Sequence, residues 1–254
     1  MNRNDLNDTN NKNTLLFNRT IVDIGYFART STVGKEFDMV SRYVNHLIQH
    51  YEKNKRKRAA IFIEPQIETG YPDIVVVEFN SLPPNRWSLM RNSLGTTEFK
   101  ILFYIQTHNS CAVSELTKIL GFSQINLEKS ILKLSLCGLI HLSSTGKCVR
   151  SVSLRSYCRI NRVISIEAKI DKWNEAIRQA GNNIWFSTES YILMNKDFCS
   201  EEIQNNCRRQ GIGIILVNGK VKTVLESTRR RFPVSYASLE FNELIMRYIN
   251  MKGE

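Results

Sequence analysis

Apolar residues recur along this chain at two spacings, one typical of helices and one typical of strands. From Ser31 or Thr32, either of which can cap a helix, the helical spacing continues to Tyr51. Residues 59–67 and 73–79 are instead apolar over consecutive positions, with a Gly-Tyr-Pro turn between them. This pattern predicts an amphipathic helix followed by a hairpin of two strands.

The C-terminal part of the chain alternates between strands and helices, which is typical of an α/β fold. Its predicted elements are a strand at 163–169, a helix at 171–182, a strand ending at 191–194, a helix at 199–210, strands at 211–217 and 221–225, and a helix at 238–251. The two α/β parts are separated by a segment with a different pattern.

That intervening segment has the pattern of a separate domain, entered through Pro83-Pro84. Its predicted elements are helices at 97–107, 113–120 and 123–137 and a hairpin of strands at 139–142 and 148–152. Unstructured connections of this length are rare in compact domains, so the segment is expected to fold by itself. Three helices followed by a hairpin predict a winged helix-turn-helix.

These patterns predict a chain of three parts. They are a flexible N-terminal segment at 1–30, a discontinuous α/β domain at 31–82 and 158–254, and an inserted winged-helix domain at 83–157. The N-terminal segment is assigned on composition, because its first dozen residues are polar and rich in asparagine.

Composition and charge favour a partner that is a polyanion. The 254 residues carry a formal net charge of +11 and have a pI near 9.5. Clustered Lys and Arg gain affinity for phosphates by releasing counterions, although a basic protein need not bind any polyanion. The six cysteines lack zinc-site spacing, and no apolar run approaches the roughly 20 residues that cross a bilayer. We therefore predict a cytoplasmic protein with reduced thiols and no membrane association.

Candidate chemistry lies in two predicted strands. Glu167 and Lys169 flank Ala168, so both project from the same face of their strand, and Asp73 follows Pro72 at the start of another strand. Two carboxylates can bind a hard divalent cation, and an ammonium can orient or deprotonate water and stabilise charge on a phosphate. The three residues predict metal-dependent phosphodiester hydrolysis. The alternative is a surface salt bridge beside an unrelated turn aspartate.

The same residues resemble the PD-(D/E)XK nuclease superfamily, at 70–73 (GYPD) and 166–180 (IEAKIDKWNEAIRQA). The resemblance implies a restriction-endonuclease-like fold, which is a mixed central sheet flanked by helices. It also implies dependence on Mg²⁺ or Mn²⁺ and cleavage of DNA or, less often, RNA. Asp73 and Glu167 would then bind the metal, and Lys169 would help to activate water.

Two further residues follow from this resemblance. Many members carry a carboxylate in the helix before the first strand; Glu36 matches it and could complete the metal site, or could simply complement the helix dipole. Gln179 matches a glutamine that contacts nucleotides in some members, but Asn183 stands where those members carry tyrosine. A helix-surface role for Gln179 is the alternative.

The inserted domain is similar to winged-helix regulators such as the MarR family, at 113–123 (VSELTKILGFS) and 138–140 (GLI). That resemblance implies a third helix in the major groove and a wing on the DNA backbone. Its candidate nucleic-acid-binding residues are Gln124 and Asn126 for base edges, and Lys129, Lys133, Lys147 and Arg150 for phosphates. The domain could instead contact a protein.

The sequence as a whole predicts a metal-dependent endonuclease that cleaves DNA, with a winged helix that binds or positions the substrate. The alternatives are a winged-helix DNA-binding regulator with an inactive nuclease-like core, and a nuclease that cleaves RNA. A homodimer or a larger defence or mobile-element complex would suit this architecture, by association with the fold rather than from a site.

Overall fold

A computed structural model describes residues 13–29, 33–54, 56–80, 87–196 and 199–253. Its strands and helices are β1 (Thr14–Phe17), α1 (Lys35–Lys53), β2 (Arg58–Ile63), β3 (Ile74–Phe79), α2 (Thr96–His108), β4 (Ser110–Ala112), α3 (Val113–Leu120), α4 (Gln124–Leu136), β5 (Ile140–Leu142), β6 (Cys148–Ser151), α5 (Leu154–Tyr157), β7 (Ile160–Lys169), α6 (Trp173–Asn182), β8 (Glu189–Met194), α7 (Glu201–Gln210), β9 (Gly213–Asn218), β10 (Lys220–Leu225) and α8 (Tyr236–Lys252). They form two compact units, Met1–Asn80 with Ile160–Val234, and Ser81–Arg159 with Ser235–Glu254.

The first unit is built on a seven-stranded sheet in the order β1-β2-β3-β7-β8-β9-β10. Strands β1 and β2, β7 and β8, and β8 and β9 are parallel, whereas the other neighbouring pairs are antiparallel. The predicted α/β class with a mixed central sheet flanked by helices is therefore confirmed. The predicted hairpin is confirmed too, because β2 and β3 pair along their whole length.

Apolar side chains cover both faces of this sheet, which explains the continuous apolar runs in its central strands. Helix α1 packs on one face through residues that include Phe37, Val40 and Val44. On the other face, a second core joins α6 and α7 to β8 and β9. In β7, Ile166 and Ala168 belong to the core under α1, and strand alternation directs Glu167 to the other face of the sheet.

The N-terminal segment corrects one prediction. Residues 1–30 were expected to be flexible, and 1–12 and 30 lie outside the described residues, but 14–17 form β1 beside β2. Leu15 and Phe17 are buried, and the Phe17 ring stacks on Phe62 with centroids 4.3 Å apart. A short apolar run after a polar segment can bury its side chains only where a neighbouring strand offers an edge, which composition does not reveal.

The second unit contains α2 to α5, α8 and an antiparallel sheet in the order β4-β6-β5. The three predicted helices and the hairpin are present, and the Ser123 hydroxyl caps α4 by accepting a hydrogen bond from the Asn126 N–H. The expected linker at Pro83-Pro84 and the helix caps at Ser31 and Thr32 lie outside the described residues.

Helix α8 belongs to the second unit, whereas the sequence grouped residues 158–254 with the first. The helix packs on α2, and its buried Glu243 receives hydrogen bonds from both Arg91 Nε and Nη2. This ion pair joins residues 152 positions apart, a contact that no local pattern predicts.

Candidate active site

The pairing of β3 with β7 brings Asp73 next to Glu167. The two strands are antiparallel, with Ile74 opposite Ile166, so the preceding Asp73 lies opposite Glu167 on the same face of the sheet. The backbone N–H of Ala168 donates to Asp73 Oδ2 at 2.7 Å. A residue at the start of one strand is thus fixed directly beside a residue near the end of another.

The turn before Asp73 is itself fixed. Gly70 has a φ of +134°, a conformation that L side chains rarely adopt, and its N–H donates to the Ile67 carbonyl at 3.1 Å. The indole N–H of Trp185 donates to the Thr69 hydroxyl at 3.0 Å. These contacts hold the turn and limit where the following carboxylate can lie.

Lys169 and Glu36 complete the group predicted from the sequence. Lys169 is two residues after Glu167 in β7, and its Nζ lies 3.3 Å from Glu36 Oε2, in the first turn of α1. The Lys169 side chain is only 14% exposed, whereas that of Glu36 is 48% exposed. The structure therefore brings together all four predicted catalytic residues, which we call the carboxylate cluster: Glu36, Asp73, Glu167 and Lys169.

Burial and mutual repulsion dominate the electrostatics of this cluster. Burial, and then the neighbouring Asp73 carboxyl, raise the pKa of Glu167 to about 8. Burial also raises the pKa of Asp73, although the Ala168 N–H and Lys169 oppose the shift. Burial alone would lower the pKa of Lys169, but Asp73 and Glu36 outweigh it and the pKa is raised. Lys169 is consequently an ammonium at neutral pH, beside carboxyls that resist ionisation together.

The donor set suits a hard cation. Asp73 and Glu167 lie opposite each other on neighbouring strands, Glu167 buried and Asp73 half-buried, and each would ionise more readily beside an additional positive charge. Among the residues that the structure describes, however, no group of three or more His, Cys, Asp or Glu side chains is arranged to bind a metal ion. Glu36 contacts Lys169 rather than joining the two carboxyls, so the residues fit a cation that is held by two carboxylates and completed by water or substrate.

Comparison with known proteins does not assign the chain to a family. No family model, curated protein or solved structure matches the chain. Within the described ranges, no helix is both long and apolar enough to cross a membrane. The site therefore has to be interpreted from its own geometry.

Sequence reasoning missed two residues of this site. Asn183, at the end of α6, is 5% exposed and its Nδ2 donates to Glu167 Oε1 at 2.6 Å. Glu64, at the end of β2, is 4% exposed, has a φ of +47°, and its charge raises the pKa of Asp73. The register of β2 and β3 could have indicated Glu64, since Ile63 pairs with Ile74. The spacing from Gln179 marked the position of Asn183, but the change from the tyrosine of the resembled pattern hid its contact with Glu167.

Gln179 lies one helical turn before Asn183 on α6. Its Oε1 is buried and has no hydrogen-bond partner, whereas almost all buried polar groups in proteins are paired. An unpaired acceptor on the helix that covers Glu167 is compatible with the predicted contact to a nucleotide and less so with a plain surface role.

The predicted nucleic-acid-binding residues of the second unit differ in whether their side chains are exposed and free of other contacts or are hydrogen-bonded within the protein. Gln124, Asn126, Lys129, Lys147 and Arg150 are exposed. Gln124 is engaged, because it accepts from the Thr117 hydroxyl at 3.1 Å and donates to Glu128 at 2.6 Å.

Lys133 is engaged as well. Its ammonium donates to the Ser93 carbonyl at 2.9 Å and lies 3.4 Å from Glu98, so its contacts are structural rather than directed to solvent. The exposed face of α4 also carries three large apolar side chains, those of Ile125, Leu132 and Leu136. This face is less polar than expected for a helix that reads the major groove.

Proposed function

We propose that this chain is a metal-dependent endonuclease of the PD-(D/E)XK type that hydrolyses phosphodiester bonds in DNA. The observation that carries the proposal is the register of β3 and β7, which places the Asp73 carboxyl opposite the buried Glu167, with the Lys169 ammonium two residues further along the same strand face. Strongly perturbed titratable groups that converge on one point are typical of reaction centres.

Asp73 and Glu167 would hold Mg²⁺ or Mn²⁺ through their carboxylate oxygens. The bound cation would stabilise negative charge on the scissile phosphate and make a bound water more acidic. Because Glu167 is buried and Asp73 is half-buried, less water competes around the two carboxylates, which strengthens their electrostatic attraction for a cation.

Lys169 would act as a charged hydrogen-bond donor. Since its pKa is raised, the side chain is protonated at neutral pH and cannot serve as a general base there. Its ammonium would orient the attacking water or stabilise charge that develops on a phosphate oxygen. In the free protein this ammonium is paired with Glu36, at 3.3 Å, and that pairing would hold it at the site before substrate arrives.

The second unit is proposed to be a winged helix that binds DNA. Support comes from its order of three helices and a hairpin, and from the exposed Lys147 and Arg150 on the hairpin. Because the middle of α4 exposes apolar side chains, we assign the DNA contacts to the hairpin and to the N-terminal end of α4, at Asn126 and Lys129. Gln179 would contact a nucleotide near the carboxylate cluster.

A DNA-binding regulator with an inactive core is the second candidate. It is favoured by the absence, among the described residues, of a group of three metal-binding side chains. Under this alternative, the Glu36 to Lys169 contact would be a structural ion pair, and the chain would bind DNA without cutting it.

Cleavage assays separate the candidates. Purified protein is incubated with single-stranded, duplex and branched DNA and with RNA, in the presence of Mg²⁺, Mn²⁺ or a chelator. We expect metal-dependent cutting of DNA that Asp73→Ala and Lys169→Ala abolish and that Asp171→Ala, an exposed acid nearby in sequence, preserves. Tight duplex binding without cutting under any metal would favour the regulator, and preferential cutting of RNA would replace DNA as the substrate.

A further inference from the structure

The backbone of Asn183 is fixed more firmly than its position at a helix end requires. Its N–H closes the last turn of α6 by donating to backbone carbonyls that include that of Ala180. Its own carbonyl accepts hydrogen bonds from the Phe186 N–H at 3.2 Å and the Ser187 N–H at 3.1 Å. The Ser187 hydroxyl donates to the same carbonyl at 2.9 Å. Because both the N–H and the carbonyl of Asn183 are hydrogen-bonded, the backbone from which its side chain extends is fixed.

A column of buried serine hydroxyls, linked by hydrogen bonds, continues from the Asn183 carbonyl into the sheet. The Ser165 hydroxyl, in β7, lies within hydrogen-bonding distance of the hydroxyls of Ser187, at 3.0 Å, and of Ser190, at 3.1 Å, and its single proton can be donated to either. Ser190 in turn donates to the Ala180 carbonyl of α6 at 2.7 Å. All three serines are fully buried. The column joins β7, β8 and α6, so Asn183 cannot shift without breaking buried hydrogen bonds.

The two carboxyl groups are held in matching ways. Asp73 Oδ2 accepts from the Ala168 N–H at 2.7 Å, and Glu167 Oε1 accepts from Asn183 Nδ2 at 2.6 Å. One oxygen of each carboxyl is thereby bonded to a donor that belongs to the rigid sheet or to the helix over it. The other oxygen of each is left for the second carboxyl or for a cation.

We propose that Asn183 is a positioning residue that orients the Glu167 carboxylate for cation binding. The buried hydroxyls of Ser165, Ser187 and Ser190 hold Asn183 in place. The inference rests on the proposed metal-dependent function. Hydrogen bonds of this kind to metal-binding carboxylates commonly change metal affinity about 10- to 100-fold when removed. In a simpler interpretation, Asn183 only fills space and supplies a hydrogen bond to a buried acid. The two interpretations predict different effects of substitutions at Asn183 on Mn²⁺ affinity.

Binding of Mn²⁺ by the purified full chain, followed by calorimetry and by the electron paramagnetic resonance signal of free Mn²⁺, tests the proposal without substrate. Asn183→Ala should weaken binding about tenfold, because Glu167 loses its donor. Asn183→Leu keeps the approximate volume but also removes the donor, and should weaken binding about tenfold as well. A residue that mainly fills space would show alanine clearly worse than leucine, with leucine near wild type.

Two more variants complete the design. Asn182→Ala changes the exposed neighbour, whose side chain makes no capping hydrogen bond, and should leave Mn²⁺ affinity unchanged. Ser187→Ala removes one hydroxyl that anchors Asn183 and should weaken binding by a smaller factor; it also serves if the Asn183 variants fail to fold, as judged by circular dichroism.

The outcomes separate the inference from the proposed function. Wild-type affinity in folded Asn183→Ala and Asn183→Leu, or in folded Ser187→Ala if those two fail to fold, would overturn the positioning role while leaving the cation site intact. Failure of the wild-type protein to bind Mn²⁺ at millimolar concentration would overturn the proposed function and the inference with it.

Discussion

The strand pair β3 and β7 carries a charged cluster at each end, and the two clusters are balanced differently. The carboxylate cluster lies where Asp73 is opposite Glu167. At the other end Glu78 is opposite Arg162, whose guanidinium contacts Glu78 at 3.2 Å and also binds Glu189. We call this second group the arginine cluster; alternation along the strands places it on the opposite face of the sheet.

The two clusters shift their carboxyl pKa values in opposite directions. In the arginine cluster, burial tends to raise the pKa of Glu78, but Arg162 and the Tyr51 hydroxyl outweigh burial and the pKa is lowered. In the carboxylate cluster, burial and the neighbouring acid raise the pKa of Glu167. In the arginine cluster, positive charge thus balances the negative charge of the acids. In the carboxylate cluster, the negative charge of the acids is not fully balanced. The second condition is the one that a cation would relieve.

The largest expected effect concerns catalysis. Lys169→Ala should lower the rate of the proposed metal-dependent cleavage about 10²- to 10³-fold, because the site loses an ammonium donor to developing charge. Single-turnover cleavage of labelled DNA measures the rate. Glu78→Gln, in the arginine cluster, is the control and should leave the rate unchanged. Equal losses in the two variants would remove the functional distinction between the clusters.

The next effect is on stability and belongs to the arginine cluster. Arg162→Leu should lower the free energy of unfolding by about 3 kcal/mol, because Glu78 and Glu189 lose their most buried counter-charge and keep only the more exposed Lys57 and Arg229. Urea denaturation measures the change. Arg178→Leu, at an exposed position of α6, should change stability by less than about 0.5 kcal/mol. A loss of similar size in both variants would mean that Arg162 does not stabilise the protein by balancing the charge of the two acids.

Glu167→Gln should instead stabilise the metal-free protein, and only at higher pH. The pKa of Glu167 is raised from 4.5 to about 8, so the wild-type protein loses stability as the pH rises from 4.5 through 8, because the acid ionises in the unfolded chain while burial keeps it protonated in the folded one. Glutamine resembles the protonated acid and does not titrate. Denaturation in chelator should show the variant more stable by on the order of 2 kcal/mol at pH 8 and near wild type at pH 5. A difference that does not depend on pH would contradict the raised pKa.

The smallest effect tests a single hydrogen bond of the arginine cluster. Tyr51→Phe removes the hydroxyl that donates to Glu78 at 2.9 Å and should cost about 1 kcal/mol of unfolding free energy. Cleavage and Mn²⁺ affinity should stay at wild-type values. A change in either would show that the two ends of the strand pair are coupled.

Much of the local structure could be predicted from the sequence. The alternation of Glu167 and Lys169 around Ala168 indicated a shared face, and β7 has that geometry. The helices at α1 to α4 and the hairpin of β2 and β3 followed from apolar spacing and turn residues. These features depend on residues that are neighbours in sequence, where period and steric preference act directly.

Contacts between distant segments were harder to predict. Lys133 was expected to face a phosphate, but it binds Glu98, which lies 35 residues away. The N-terminal segment was expected to be flexible, but Leu15 and Phe17 are buried beside β2. In each case the sequence shows a residue type that suits two environments, and only the neighbouring element selects one of them.

The sequence by itself determined which residues have the chemistry that the proposed hydrolysis needs and which strand faces they occupy, because side-chain chemistry and strand period are local properties. Only the tertiary structure decided that Asp73 lies beside Ala168, 95 positions away, and that Asn183 contacts Glu167. The pKa of a buried carboxyl depends on what surrounds it in space. For that reason the contrast between the carboxylate and arginine clusters appears only once β3, β7 and α6 are packed together.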